Sequence, residues 1–236
     1  MIKVFAFDLD GTLTQHKTQL GDENRAHLDS LGRKYKLLMV GAGAYMRIHN
    51  QLCGYPIDII GNYGMQYARY ENGGISLVRD DTAPCADRDA VERKVTALRE
   101  RYGFTEYAGD NVEYHASGCI TIPILGTRAA LEDKLAFDPD RSRRRAIYAE
   151  VCALFPDFNV FVGGTSSFDM APKPYNKYYA LDLWCRENGY SHDEVVFVGD
   201  DYGVGGNDES VYHSDFNFVR IDDYTKLGAA LAEWLG

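Results

Sequence analysis

No apolar run in this sequence approaches the roughly 20 residues that a helix needs to cross a bilayer, so no membrane span is expected. Positive charge is also short: 25 Lys+Arg stand against 35 Asp+Glu, a formal net charge of −10. Nucleic acid and anionic membrane surfaces require a basic face, so neither is expected as a main partner. A small anionic ligand is not excluded, because a metal ion and a few lysines invert the field locally. Cysteine patterns for metal binding are missing. Cys53, Cys85, Cys119, Cys152 and Cys185 are scattered, with no C-x-x-C or Cys/His spacing, and read as free thiols of a reducing cytoplasm. The Met1–Phe7 stretch meets Asp8 before it reaches signal-peptide length, so a cytoplasmic location is expected. Internal repeats and low-complexity tracts are absent from the sequence.

What is present is enough apolar residue, 45% of 236, to build a sizeable core in one large or two small domains. Short apolar runs end in tight polar loops and alternate with helical patterns. Strands are predicted at Ile2–Phe7, Leu37–Val40, Ile57–Ile60, Val195–Val198 and Phe216–Ile221. Helices are predicted over Asp22–Tyr35, Tyr45–Leu52, Tyr178–Asn188 and Thr225–Leu235. Met65–Tyr70 and Ile75–Val78 flank Asn72-Gly73-Gly74, a hairpin signal. This alternation predicts an α/β fold with a parallel sheet.

The middle of the chain differs. Helices predicted at Arg88–Tyr102, Arg128–Ala136 and Arg141–Leu154 are mixed with strands at Val112–His115, Cys119–Leu125, Phe158–Val162 and Ser166–Met170. An inserted α+β module is expected over 82–171, within a core made of 1–81 and 172–236. The links would lie near Val78–Pro84 and Ala171–Asn176, with Ala171-Pro172-Lys173-Pro174 as a stiff hinge. The run Arg141-Ser142-Arg143-Arg144-Arg145 reads as the solvated face of a helix.

Two strands end in carboxylates: Asp8 and Asp10 after the first, Asp200 and Asp201 after the one near the C-terminus. Ligands of open α/β sheets bind outside the carboxyl ends of strands, where such loops meet. A lone loop aspartate is usually a turn residue, but four at two strand ends are a stronger pattern. An oxygen-only donor set suits Mg²⁺.

Asp8-Leu9-Asp10-Gly11-Thr12-Leu13-Thr14 resembles the DxDGTLT signature of the haloacid dehalogenase (HAD) superfamily. Gly199-Asp200 and Gly205-Gly206-Asn207-Asp208 resemble its acidic C-terminal motif, and Lys177 stands where its lysine is expected. Val40–Tyr45, Glu113–Gly126, Gly163-Gly164, Ser167-Phe168-Asp169 and Asn176-Lys177 also look like eukaryotic-type phosphomannomutase, a subgroup with an inserted α/β cap.

The resemblance implies a HAD-like Rossmannoid core with an α+β cap. It implies Asp8 as the nucleophile that forms an aspartyl-phosphate, Asp10 as general acid and base, and Lys177 as the partner of the phosphoryl oxygens. Mg²⁺ would be held by Asp8, the backbone carbonyl of Asp10 and Asp200, with Asn207 and Asp208 orienting or completing the shell. Gly41, Ala42 and Gly43 would bind the transferred phosphoryl group, and Arg128, Lys134, Ser167 and Asp169 the rest of the substrate.

Two departures matter. The Gly41-Ala42-Gly43-Ala44 loop lacks the Ser or Thr hydroxyl that most of these enzymes carry there, leaving backbone N–H groups as its phosphate donors. Phosphomannomutases bind the distal phosphate with cap arginines. The matching positions here are His115–Ser117, Thr127 and Lys134, with Arg128 adjacent and His115 an alternative phosphate binder. The leading expectation is therefore a Mg²⁺-dependent phosphomonoester hydrolase acting on a small phosphorylated metabolite such as a sugar phosphate. A hexose-phosphate mutase and a catalytically weakened binding protein are the alternatives. A monomer or homodimer is expected.

Overall fold

The computed structural model describes residues 1–83 and 86–236, so Pro84 of the first expected link and the Cys85 thiol lie outside the described residues. Cys53, Cys119, Cys152 and Cys185 are free thiols. Two compact units emerge: Met1–Asp81 with Tyr175–Gly203 and Asp208–Gly236, and Thr82–Pro174 with Val204–Asn207.

The first unit is built on seven strands: β1 (Val4–Phe7), β2 (Lys36–Val40), β3 (Asp58–Gly61), β4 (Gln66–Glu71), β5 (Gly74–Asp80), then β10 (Val195–Gly199) and β11 (Asn217–Arg220). Their order is β11-β10-β1-β2-β3-β4-β5. The first five in that order run parallel, and the β4–β5 hairpin is antiparallel. β1 lies in the middle, pairing Phe7 with Met39 on one side and with Val198 on the other. Every residue of β1 is buried, as expected of a strand covered on both faces.

Alternate residues feed two cores. Phe5, Phe7, Met39, Ile59 and Val198 pack with helices α1 (Asp22–Gly32) and α2 (Tyr45–Gln51). Val4, Ala6, Leu38, Val40 and Phe197 pack with α6 (Lys177–Asn188). Trp184 on α6 stacks on Tyr190 at 5.3 Å, and Trp234 meets Phe5 edge-on at 5.4 Å. The chain leaves β1 toward β2 and returns at β10 on the opposite side. The carboxyl ends of β1 and β10 therefore flank the point where the strand order reverses, which is where ligands of such sheets bind.

The second unit holds an antiparallel sheet ordered β6-β7-β9-β8, from β6 (Glu113–Tyr114), β7 (Ile120–Pro123), β8 (Phe158–Phe161) and β9 (Ser167–Pro172). Helices α3 (Arg88–Tyr102) and α5 (Ser142–Leu154) cover it through Val91, Val95, Ile147 and Val151, with α4 (Leu131–Phe137) between them in sequence. Fold class thus agrees with the sequence: a mostly parallel α/β sheet plus a second, antiparallel α+β unit.

Four local expectations need correction. Arg144, read as part of a solvated arginine run, is fully buried. Its Nε pairs with Asp138 at 2.8 Å, and its Nη1 donates to the carbonyls of Gly163 and Ser167, so it ties α5 to the strands rather than facing water. The expected hinge is partly strand, because β9 runs through Pro172, whose ring is tolerated past the last β7 pairing at Ile120–Met170. Arg128 precedes α4 in a turn, its N–H donating to the Ala108 carbonyl. The last helix is broken into α8 (Leu227–Ala230) and α9 (Ala232–Leu235) at Leu231, which leaves helical geometry at φ −105°, ψ 13° while its side chain is fully buried in the core. α7 (Glu209–Tyr212) is a single turn after the acidic loop. No helix among the described residues is long and apolar enough to cross a membrane.

Candidate active site

At the carboxyl end of β1 the chain turns sharply. Asp8 N–H still donates to the Val198 carbonyl of β10, and the Leu9 carbonyl then accepts from the amides of Leu13 and Thr14 at 2.9 and 3.1 Å. Gly11 sits at φ +97°, and a Cβ there would lie 2.4 Å from Asp200 Oδ2, so glycine is what admits the Asp200 carboxylate against this turn. Thr12 Oγ1 donates to Asp200 Oδ1 at 3.0 Å.

Lys177 enters from the first position of α6, behind the N-cap Asn176 whose side chain accepts from Tyr179 N–H. It is fully buried. Its Nζ lies 2.6 Å from Asp8 Oδ1 and 2.6 Å from Asp208 Oδ1. The second oxygen of Asp208 accepts from the Asp201 N–H, and the Asp201 carbonyl accepts from the Asp208 N–H, closing the acidic loop on itself.

Ligand oxygens of Asp8, Asp200 and Asp208 all lie within 4.8 Å of one another. Three carboxylates against one ammonium leave two negative charges when all are ionised. The consequence is visible in their titration. Burial, opposed by Lys177, pushes Asp8 up to about 6. Burial and then the charges of Asp8 and Asp208 push Asp200 up to about 8. Burial acts to lower Lys177, but the carboxylates of Asp208 and Asp8 outweigh it and hold the ammonium above its ordinary value. A hard divalent cation fits this donor set: all ligands are oxygens, and the surplus charge matches. Asp8 and Asp200 are the better placed ligands, since both Asp208 oxygens already accept hydrogen bonds.

Asp10 points elsewhere. Its Oδ1 accepts from Gln51 Nε2 at 2.6 Å and from the Lys17 N–H at 2.7 Å, and its Oδ2 lies 3.4 Å from Arg47 Nη2. Burial works against the charge, yet these donors hold its carboxyl below the usual range. Its expected metal contact is through the backbone carbonyl, so the side chain remains available for proton transfer. The Gly41–Ala44 loop follows β2. Its Gly41 and Gly43 carbonyls accept from the Tyr63 and Asn62 amides at the end of β3, which fixes the loop beside the β1 turn. Arg47 and Gln51, one turn apart on α2, were not expected from sequence. A polar i, i+4 pair on the helix after that loop was the signal available.

The remaining expected residues belong to the second unit. Asp169 Oδ1 accepts from Thr121 Oγ1 at 2.9 Å and Ser167 Oγ at 3.3 Å, and His115 Nε2 lies 3.0 Å from that threonine. Burial raises the Asp169 carboxyl, with Thr121, His115 and Ser167 opposing. Lys134 Nζ donates to the Thr127 carbonyl, and Arg128 is exposed. Asn207 also groups with this unit.

A family model described as eukaryotic phosphomannomutase matches residues 103–220. A phosphomannomutase of Encephalitozoon cuniculi is 26% identical, the match covering 97% of this chain and 93% of that protein. Phosphomannomutase 1 of Homo sapiens is 26% identical over 87% of this chain and 81% of its own length. Among solved structures, a haloacid dehalogenase-like hydrolase from B. subtilis superposes with a TM-score of 0.64 at 15% identity, covering 98% of each chain, a likeness of fold. The protein is thus an enzyme of the HAD phosphotransfer type. With its acidic cluster, its buried lysine and this match, the chain belongs to the eukaryotic phosphomannomutase family of the haloacid dehalogenase superfamily.

Proposed function

We propose that the protein is a Mg²⁺-dependent phosphomonoester hydrolase that works through an aspartyl-phosphate on Asp8. The observation that carries this reading is the buried Lys177 held at 2.6 Å from both Asp8 and Asp208, beside Asp200. An aspartate nucleophile needs its charge offset before an anionic phosphate approaches, and this arrangement does that. Mg²⁺, held by Asp8 and Asp200 with the Asp10 carbonyl, would neutralise the phosphoryl oxygens. Asn207 and Asp208 would steady that shell, Asp208 by holding Lys177.

One Asp8 oxygen attacks phosphorus while the bond from phosphorus to the ester oxygen breaks, and Asp10 gives its proton to the leaving oxygen. Asp10 then takes a proton from water, which attacks the acyl phosphate, releasing inorganic phosphate and regenerating Asp8. Gln51 fixes one Asp10 oxygen and leaves the other for the substrate. An enclosed phosphate dianion would raise Asp10 from its low starting point toward the protonated form the first step needs. Ala42 and Gly43 would present backbone N–H groups to the phosphoryl oxygens, whereas the N–H of Gly41, expected to join them, donates to the Ile60 carbonyl at 2.9 Å and only holds the loop to β3.

The second unit, in this reading, is the cap, with 82–171 inserted into a core of 1–81 and 172–236. Ser167 and Asp169 would face the substrate, and Arg128 would reach its anionic end. The substrate is a small phosphorylated metabolite such as a sugar phosphate, handled in the cytoplasm by a monomer or homodimer. Hydrolysis is favoured over isomerisation because the cap positions that bind a distal phosphate carry no arginine, only His115–Ser117, Thr127 and Lys134, and one of the three Lys134 N–H donors is taken by the Thr127 carbonyl. The family match favours the second reading, a hexose-phosphate mutase sharing the Asp8 chemistry.

A panel of phosphorylated metabolites with Mg²⁺, read by released phosphate, tests the first reading, with Asp8→Asn as the inactive control. Mannose 1-phosphate supplied with glucose 1,6-bisphosphate separates the two. Free phosphate in excess of mannose 6-phosphate supports the hydrolase; efficient isomerisation with little free phosphate replaces it by the mutase. Neither product, from any substrate, leaves a weakened binding protein.

A further inference from the structure

The loop after β2 has no hydroxyl, yet the space beside Gly43 is filled. A Cβ on Gly43 would lie 2.4 Å from Arg47 Nε, 2.6 Å from Nη2 and 2.9 Å from Cζ. The guanidinium therefore occupies the place where a side chain at position 43 would begin. It is steadied there by Gln51 Oε1, which accepts from Nη1 at 3.0 Å, while its contacts with Asp10 Oδ2 are long, at 3.4 and 3.5 Å. Nε has no acceptor among the described residues, and 45% of the side chain is exposed.

We infer that Arg47 supplies the phosphoryl-binding donor that the Gly41–Ala44 loop lacks, and that Gly43 is the residue that makes room for it. This rests on the reading of the strand-end cluster as a phosphoryl site. A serine or threonine at 43 offers one neutral donor. A guanidinium offers five N–H groups in a planar fork suited to phosphate oxygens, and only Nη1 has a close acceptor here. Its place over Gly43 and beside Asp10 puts it between the two loops that close on the phosphoryl group. The long contact to Asp10 is one a more strongly charged acceptor displaces. A phosphoryl dianion entering among Asp8, Asp10, Asp200 and Asp208 meets Arg47 as a cationic side chain on the Asp10 side, where Lys177, held between Asp8 and Asp208, does not reach as an ion-pair partner.

The test is binding of orthovanadate with Mg²⁺ to the full chain, measured by calorimetry, because it requires no knowledge of the substrate. Arg47→Ala should weaken vanadate roughly 10- to 100-fold with an unchanged melting temperature, as loss of a hydrogen bond from a charged group implies. Arg47→Lys should recover part of this. Gly43→Ser alone should weaken binding by displacing the guanidinium. Gly43→Ser combined with Arg47→Ala should bind more tightly than Arg47→Ala, because the hydroxyl then has room. Equal affinity of wild type and Arg47→Ala overturns the inference and leaves the phosphoryl site standing. Equal affinity of Arg47→Ala and the double variant overturns the exchange of roles with position 43. Absence of vanadate binding by the wild type overturns the inference together with the phosphoryl-site reading. Arg47-dependent binding without turnover of any phosphomonoester supports the inference and removes only the hydrolase.

Discussion

Replacing Lys177 by methionine keeps most of the buried volume and removes one positive charge from among three carboxylates. In the native structure Lys177 is fully enclosed and makes two ion pairs at 2.6 Å, with Asp8 and Asp208. Removing one partner of a buried pair leaves an uncompensated charge and costs about 3–5 kcal/mol. Here two carboxylates are orphaned, but they have an escape. Asp8 already titrates at about 6 with the lysine present, and without it would be protonated at neutral pH. That limits the loss to about 3–5 kcal/mol at pH 7.5 rather than double it. The loss must shrink as pH falls, because protonation discharges Asp8. A domain with about 5–15 kcal/mol in total would be visibly weakened.

The assay is urea denaturation of the metal-free protein at pH 7.5 and 5.5, followed by circular dichroism. Lys177→Met should lose stability at the higher pH and approach wild type at the lower. Adding Asp208→Asn should recover part of the loss, since it removes one stranded acid. A Lys177→Met protein as stable as wild type at pH 7.5, or one more damaged at pH 5.5, would refute the charge balance drawn from the cluster.

Metal-free wild type should itself become less stable as pH rises from about 5 to about 8. Asp8 and Asp200 titrate at about 6 and about 8 in the folded state. Both lie above the ordinary carboxylate value of about 3.9, so the folded state holds protons that the unfolded chain releases. Mg²⁺ should flatten that decline in melting temperature, and a decline of equal slope with and without Mg²⁺ would count against the metal site. Gly11→Ala places a Cβ at φ +97° against Asp200 Oδ2, and should abolish turnover and cost at least about 1 kcal/mol in a thermal melt. In the second unit, Arg144→Met strands Asp138 and should cost about 3–5 kcal/mol, seen as faster amide exchange along β9. Burial alone would raise Asp138, but bonds from Arg144 and the neighbouring amides hold it low. Its contribution is therefore present above about pH 4 and is lost as pH falls through the folded value.

What was legible from sequence is local or confined to strand ends. Four buried residues before Asp8 and five before Asp200 read as strands because burial on both faces makes the run continuously apolar. The Asn72-Gly73 turn reads as a hairpin because both residues need positive φ. Lys177 was legible only through the resemblance of the whole motif set to HAD enzymes, since a lysine at a helix start by itself points to solvent. What stayed hidden are choices among distant partners. Nothing in an arginine-rich run marks Arg144 as the member that turns inward to Asp138, because that depends on where Gly163 and Ser167 place their carbonyls. The Arg47–Gln51 pair was hidden for the same reason, since its partner Asp10 lies on another strand's loop. The break of the final helix at Leu231 was hidden because apolar periodicity continues through an eleven-residue stretch whose backbone does not.

The positions of the tryptophans give the molecule a built-in reporter. The chain has two, Trp184 stacked on Tyr190 and Trp234 edge-on to Phe5, and both belong to the first unit. Intrinsic tryptophan emission therefore follows the seven-stranded sheet of the first unit and does not arise from the second unit, whose Tyr and Phe rings absorb at shorter wavelength. A denaturation curve read at 295 nm excitation and one read by backbone ellipticity should coincide if the two units melt together. They should part if the second unit opens first, which makes the order of unfolding measurable without a label.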